Sequence, residues 1–187
     1  MRLVRSRRLR ILDFDIENRP LSYLGSDFTT ADVTAIAASF VGERSVHVWA
    51  LGEHTSEEML VGFLDLYQES DIVTGHYIRR HDLPIVNGAL VEFGLGRLEP
   101  RLVSDTKTDL RKTSGISLSQ ESLSDMLGIR APKIHMNQPA WREANRLTDA
   151  GIALTKKRVI GDVRQHKLLR RELLRRDMLN PPRTWKP

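Results

Sequence analysis

The sequence predicts one α/β or α+β domain, and three observations carry that reading. Strand-like segments lead and helix-like segments follow. The early strands are joined by a tight turn, whereas later ones are separated by helix patterns, so antiparallel and crossover connections mix. A chain of 187 residues, 40% apolar and 28% charged, suits one well-cored domain and is short for two. The expected division is a domain over residues 1–180 and an extended C-terminal tail over 181–187.

In chain order, RLRILDFDIE (8–17) is a strand entering from a basic lead. DVTAIAASFVG (32–42) and SVHVWALG (45–52) meet at the turn GER and form an antiparallel hairpin. TSEEMLVGFLDLYQES (55–70) is a helix opened by a capping box, Thr55 with Glu58, and its apolar residues Met59, Leu60, Phe63, Leu64 and Tyr67 keep helical spacing. DIVTGH (71–76) is a short buried strand, and the helix around LPIVNGALVEFG (83–94) ends near Gly94. RLVSDT (101–106) is a further strand and SLSQESLSDMLGI (117–129) a helix. A loop around RAPKIHMNQPAW (130–141) leads to a long final helix, and NPPRTWKP (180–187) is a loosely held end.

Charge and composition narrow the function classes. The net charge is +5, with arginines crowded into the first ten residues and nine Lys or Arg in KKRVIGDVRQHKLLRRELLRRD (156–177). Such clustering suits a polyanion, and a solvated helix face explains it about as well. The chain has no cysteine, so it carries no disulfide and no thiolate site, and a reduced, cytoplasmic setting fits. It has no apolar run long enough to span a bilayer, so no membrane partner is expected. Nothing in it specifies an oligomeric state.

The informative stretch is ILDFDIE (11–17). A strand alternates faces, so Asp13, Asp15 and Glu17 leave one side together, although strands deplete carboxylates and like charges repel. On the final helix Val159, Val163, Leu169, Leu173 and Leu174 share an arc, and Asp162 projects into its middle. A carboxylate there needs an arginine or a metal shared with other carboxylates. Asp82 precedes Leu83–Pro84, an ordinary helix start when taken alone.

Together, D-x-E on a first strand, GHYIRRHDLP (75–84) and GDV (161–163) resemble the DEDD superfamily of 3′–5′ exonucleases. Within it the chain is most similar to the exonuclease domains of B-family DNA polymerases and their small free-standing phage relatives, over about residues 9–175. The resemblance implies an RNase H-like α/β fold, a mixed central sheet with antiparallel first strands flanked by helices. It implies Asp15, Glu17, Asp82 and Asp162 as catalytic ligands of two Mg²⁺ or Mn²⁺ ions. Asp15 would bridge both ions, Glu17 and Asp162 would complete the nucleophile side, and Asp82 would hold the second ion. It also implies hydrolysis of DNA, with single strands favoured. A 3′–5′ exoribonuclease of the same fold, or a non-catalytic nucleic-acid-binding replication accessory protein, are the alternatives.

The chain departs from the family pattern at the place of the water-positioning residue. Arg158 stands where a Tyr four before the last Asp is usual, and Lys157 where a His is. Arginine stays protonated, so Arg158 is a transition-state partner rather than a base, and His166, one turn after Asp162, is the alternative base. Tyr77 and His81 replace the usual Asn and Phe, and both are candidates for substrate contact. Asp105 and Lys107 near a strand end are further substrate-side candidates, as are Tyr23 and Phe28, which could stack bases. Asp13 is expected to pair with an N-terminal arginine.

Overall fold

The computed structural model describes residues 9–20, 31–110, 113, 115–131 and 134–187. Six strands form one mixed sheet: β1 (Ile11–Pro20), β2 (Ala31–Phe40), β3 (His47–Ala50), β4 (Ile72–Gly75), β5 (Arg101–Asp105) and β6 (Arg183–Trp185). Their order across the sheet is β3-β2-β1-β4-β5-β6. β1, β2 and β3 pair antiparallel, β4 and β5 run parallel to β1, and β6 is antiparallel to β5. The helices are α1 (Ser56–Glu69), α2 (Asp82–Glu92), α3 (Thr106–Leu110), α4 (Gln120–Met126), α5 (Gln138–Asn145) and α6 (Asp149–Arg175). This is the mixed sheet with antiparallel first strands and flanking helices that the sequence led one to expect.

The two faces of β1 have opposite chemistry. Leu12, Phe14 and Ile16 pack with Met59, Leu60, Phe63 and Tyr67 of α1 and with apolar residues of α2. Each such fully buried side chain contributes about 1.5–3 kcal/mol. The other face presents Asp13, Asp15 and Glu17 to α6. Their register partners on β2 are Ser39, Ala37 and Ala35. These are small residues, so α6 packs close, and Val159 and Val163 join Ala35 and Ala37 in a second core. The long helix is thereby brought onto the carboxylate-bearing face.

Several local expectations hold. Thr55 and Glu58 form both bonds of the capping box. Gly94 has φ +68, the left-handed conformation that ends a helix and that glycine adopts without cost. Others are corrected. The stretch read as a loop contains α5, capped by the Asn137 side chain with Pro139 in its first turn. At Gly151 a Cβ would collide with the Glu143 carbonyl, so a glycine there lets α5 press against the start of α6. Leu174 lies at the edge of the α6 arc and is 49% exposed. The tail is extended but not loose. β6 supplies partners to the open edge of β5, Arg79 Nη2 donates to the Arg183 carbonyl at 2.8 Å, and Trp185 packs against the main core.

Candidate active site

β4 pairs with β1 only over Ile11–Asp13, so Asp15 and Glu17 lie past its end, at the carboxyl ends of the parallel strands. Crevices of α/β sheets form at this position. Asp162, from the buried face of α6, meets them there. One carboxylate oxygen each from Asp15, Glu17 and Asp162 lie within 4.8 Å of one another. Asp82 comes from the other side of the sheet. It is the first residue of α2 and caps nothing, because His81 holds the cap position. Instead its Oδ1 accepts the Ile16 N–H at 3.2 Å, the backbone group between Asp15 and Glu17. Asp15, Glu17 and Asp162 thus meet at ligand distance, and Asp82 approaches from α2 closely enough for its charge to act on Asp15.

Their mutual field is unfavourable. Burial, then the charges of Asp82, Asp162 and Glu17, hold the Asp15 carboxyl well above the usual range, and Arg158 offsets only part of this. Burial pushes Glu17 up to about 7 against the lowering pull of Arg158, with Asp162 adding to the rise. A packed set of hard oxygens whose charge is not fully neutralised suits a divalent cation. Asp15, Glu17 and Asp162 therefore form a donor set that could hold a metal ion.

Arg158 reaches into this set. Its Nε donates to Glu17 Oε1 at 3.3 Å and forms an ion pair with Asp162 Oδ2 at 2.7 Å, while Nη1 donates to the Ile134 carbonyl at 2.8 Å. Asp162 thus has an arginine partner as well as carboxylate neighbours. The arginine pairing does not draw Asp162 away from Asp15, which is what a purely structural role would require. Lys157, one position earlier, faces away from the cleft and lines a separate groove.

Other candidates have different surroundings from those expected. His166 is 2% exposed; its Nδ1 meets Asp13 Oδ2 at 2.8 Å and its Nε2 meets Thr106 Oγ1 at 3.1 Å. Both ring nitrogens of this candidate base are engaged by protein partners, and it does not line the cleft. It is also the partner of Asp13, in place of the expected N-terminal arginine. Asp105 is fully buried and accepts the backbone N–H groups of Tyr77, Arg79, Lys107 and Thr108 at 2.9–3.1 Å. These bonds make it an anchor for the ends of β4 and β5. One result is that Tyr77 is held at φ 74, a conformation uncommon outside glycine. Lys107 lies 4.2 Å from the centre of the Tyr77 ring, so the two form one unit. His81 Nδ1 lies 3.3 Å from Asp82 Oδ2, and that hydrogen bond raises its pKa. Tyr23 and Phe28 lie outside the described residues.

The cleft holds about 310 Å³ and is lined by Asp15, Asp162, Arg158, Lys107, His76 and Gln120. His76 and Gln120 were not singled out from the sequence. Gln120 Nε2 donates to the Asp162 carbonyl at 3.0 Å and ties α4 to α6. His76 Nε2 donates to the Leu118 carbonyl at 2.9 Å, and its Nδ1 meets Thr106 Oγ1 at 2.9 Å. A signal for His76 was available, since it follows Gly75 at the end of a strand. Gln120 had none, because a polar residue near a helix start is ordinary.

No family model and no curated protein matches the chain. Among solved structures it is similar to the family B DNA polymerase from the hyperthermophilic archaeon Pyrobaculum calidifontis, with TM-score 0.71 and 19% identity. The match covers 89% of this chain and 25% of that one, so the chain spans about a quarter of the polymerase's length. At this identity the likeness establishes the fold. No described helix is long and apolar enough to cross a membrane.

Proposed function

We propose that the chain is a metal-dependent 3′–5′ exonuclease acting on single-stranded DNA. The observation that carries this is the convergence of Asp15, Glu17 and Asp162 within 4.8 Å, in a fold shared with a DNA polymerase. Asp15, Glu17, Asp82 and Asp162 would hold two Mg²⁺ or Mn²⁺ ions. Bound there, the ions would activate water and stabilise the departing 3′ oxygen. The chain's own part is to orient the phosphodiester: Lys107 over Tyr77 offers an ammonium at the cleft, and Arg158 offers a planar donor fork to phosphate oxygens. A non-catalytic nucleic-acid-binding protein is the second reading, favoured by the Arg158 guanidinium already lying against Glu17 and Asp162.

A 5′-labelled oligonucleotide incubated with Mg²⁺ or Mn²⁺ separates the two readings. A ladder shortening from the 3′ end is expected, and a shifted but intact band would favour the binder. DNA and RNA run side by side test the sugar preference.

Two further outcomes follow from the site. Without metal, Glu17 binds its proton more tightly in the folded protein, at about 7 against 4.5. The folded state then holds more protons than the unfolded one between those values, so its stability falls as pH rises through this window. Thermal melts should show that fall. Added Mn²⁺ should raise Tm more at pH 8 than at pH 6; an equal rise at both would count against ligation by Glu17. His166→Gln should lower unfolding free energy by about 1–3 kcal/mol, the cost of unsatisfied buried partners. Its pH–rate profile should keep its shape. Loss of a limb near neutral pH in that variant would make His166 the base after all.

A further inference from the structure

Beside the row of α6 that faces the carboxylates runs a second row, Lys157, Gly161 and Arg164, one position out of phase. It lines a groove of about 630 Å³ together with Ile160, Ala153 and Ile134. The groove adjoins the cleft. Gly161 precedes Asp162, and the Ile134 carbonyl is held by Arg158 at 2.8 Å, so the segment at Ile134 separates the two spaces.

The charges in the groove are not equivalent. Lys156 is held by Glu53, with Nζ to carboxylate oxygen distances of 2.6 and 2.9 Å. Lys157 and Arg164 are exposed, and neither forms an ion pair among the described residues. Seven residues apart on one helix, they lie about 10 Å from each other along its axis, so one strand would meet them at different phosphates. Aliphatic side chains beside cations with no ion pair among the described residues suit a single strand, with bases against the aliphatic groups and phosphates on the cations.

The geometry points to this groove as the seat of the body of a single strand whose 3′ end lies in the carboxylate cleft. It rests on the nuclease reading, to which it adds a second contact region. Lys157 and Arg164 neutralise phosphates, and Ile134, Ala153 and Ile160 contact bases.

The test is fluorescence anisotropy in EDTA, which prevents turnover, with labelled oligothymidylates of about 4 and about 12 nucleotides. Lys157→Ala combined with Arg164→Ala should weaken binding of the longer strand about tenfold and of the shorter less than about twofold. The slope of log affinity against log salt for the longer strand should become shallower by about 1.4, roughly 0.7 per phosphate on single strands. Lys156→Ala, whose ammonium Glu53 already holds, should change the slope little. An unchanged slope, or equal losses on both lengths, would overturn the groove alone and leave the nuclease reading standing. Wild-type protein that binds neither strand would overturn both. A double variant altered in sedimentation but not in binding would also overturn the groove alone, since the groove would then serve a protein partner.

Discussion

Replacing Asp15 or Asp162 by alanine should lower turnover of a labelled oligonucleotide by at least about 1,000-fold, the order seen when one member of a catalytic constellation is lost. Binding of the same oligonucleotide should hold or tighten, because removing a carboxylate reduces repulsion of a polyanion. Asp15 is the sharper case. Its carboxyl is raised by burial and by three neighbouring carboxylates, so it has the most to gain from a dication and the least other use. Asp162 also holds Arg158, and its variant is best compared with Asp162→Asn to separate charge from packing. Cleavage close to wild type in either alanine variant would end the catalytic assignment, and a melting curve would show that the fold survived.

The second large effect is expected at Arg158. Its guanidinium lies against Glu17 and Asp162, the residues proposed to hold metal, so the two cations would compete. Hydrogen bonds to charged groups are worth about 1.5–3 kcal/mol. Arg158→Gln should therefore tighten Mn²⁺ binding by about ten- to a hundredfold, read by calorimetry. Turnover at saturating metal should nonetheless fall about 100-fold, because the donor fork is gone from the phosphate. Arg158→Lys should retain part of the rate, and Arg158→Tyr should lose it as the glutamine variant does. If Arg158→Tyr instead raised Mg²⁺-dependent turnover with metal affinity unchanged, Arg158 would simply fill the place of a lost base.

The structure explains why some of these residues could be found from sequence and others could not. Asp15 and Glu17 were legible because a strand has period two, so their sharing of a face follows from spacing alone. Asp162 was legible as a carboxylate set into an apolar arc, where burial without a partner is costly. The Arg158–Asp162 bond follows from helical i,i+4 spacing. The Glu17 contact of Arg158 does not, since it joins residues 141 positions apart and depends on how α6 docks. The same holds for His166 and Asp13, 153 positions apart, whose pairing gives a candidate base a buried partner. Asp105 was ambiguous for a related reason. Its backbone partners at Tyr77 and Arg79 are brought to it only because β4 and β5 pair in parallel.

By itself the sequence determined the order of strands and helices through the main body of the chain, the capping box of α1, and the single face carrying the β1 carboxylates. Those features rest on local periodicity and on hydrogen bonds between near neighbours, which a linear reading can follow. Tertiary structure alone decided that β6 closes the sheet edge, that α5 is a helix seated on α6, and that Arg158 lies among the carboxylates. It alone opened a cationic groove beside the cleft. Each of these depends on which surfaces meet, and the small residues Ala35, Ala37 and Gly151 set those meetings by the room they leave. Spacing along a chain carries no record of that room until the elements pack.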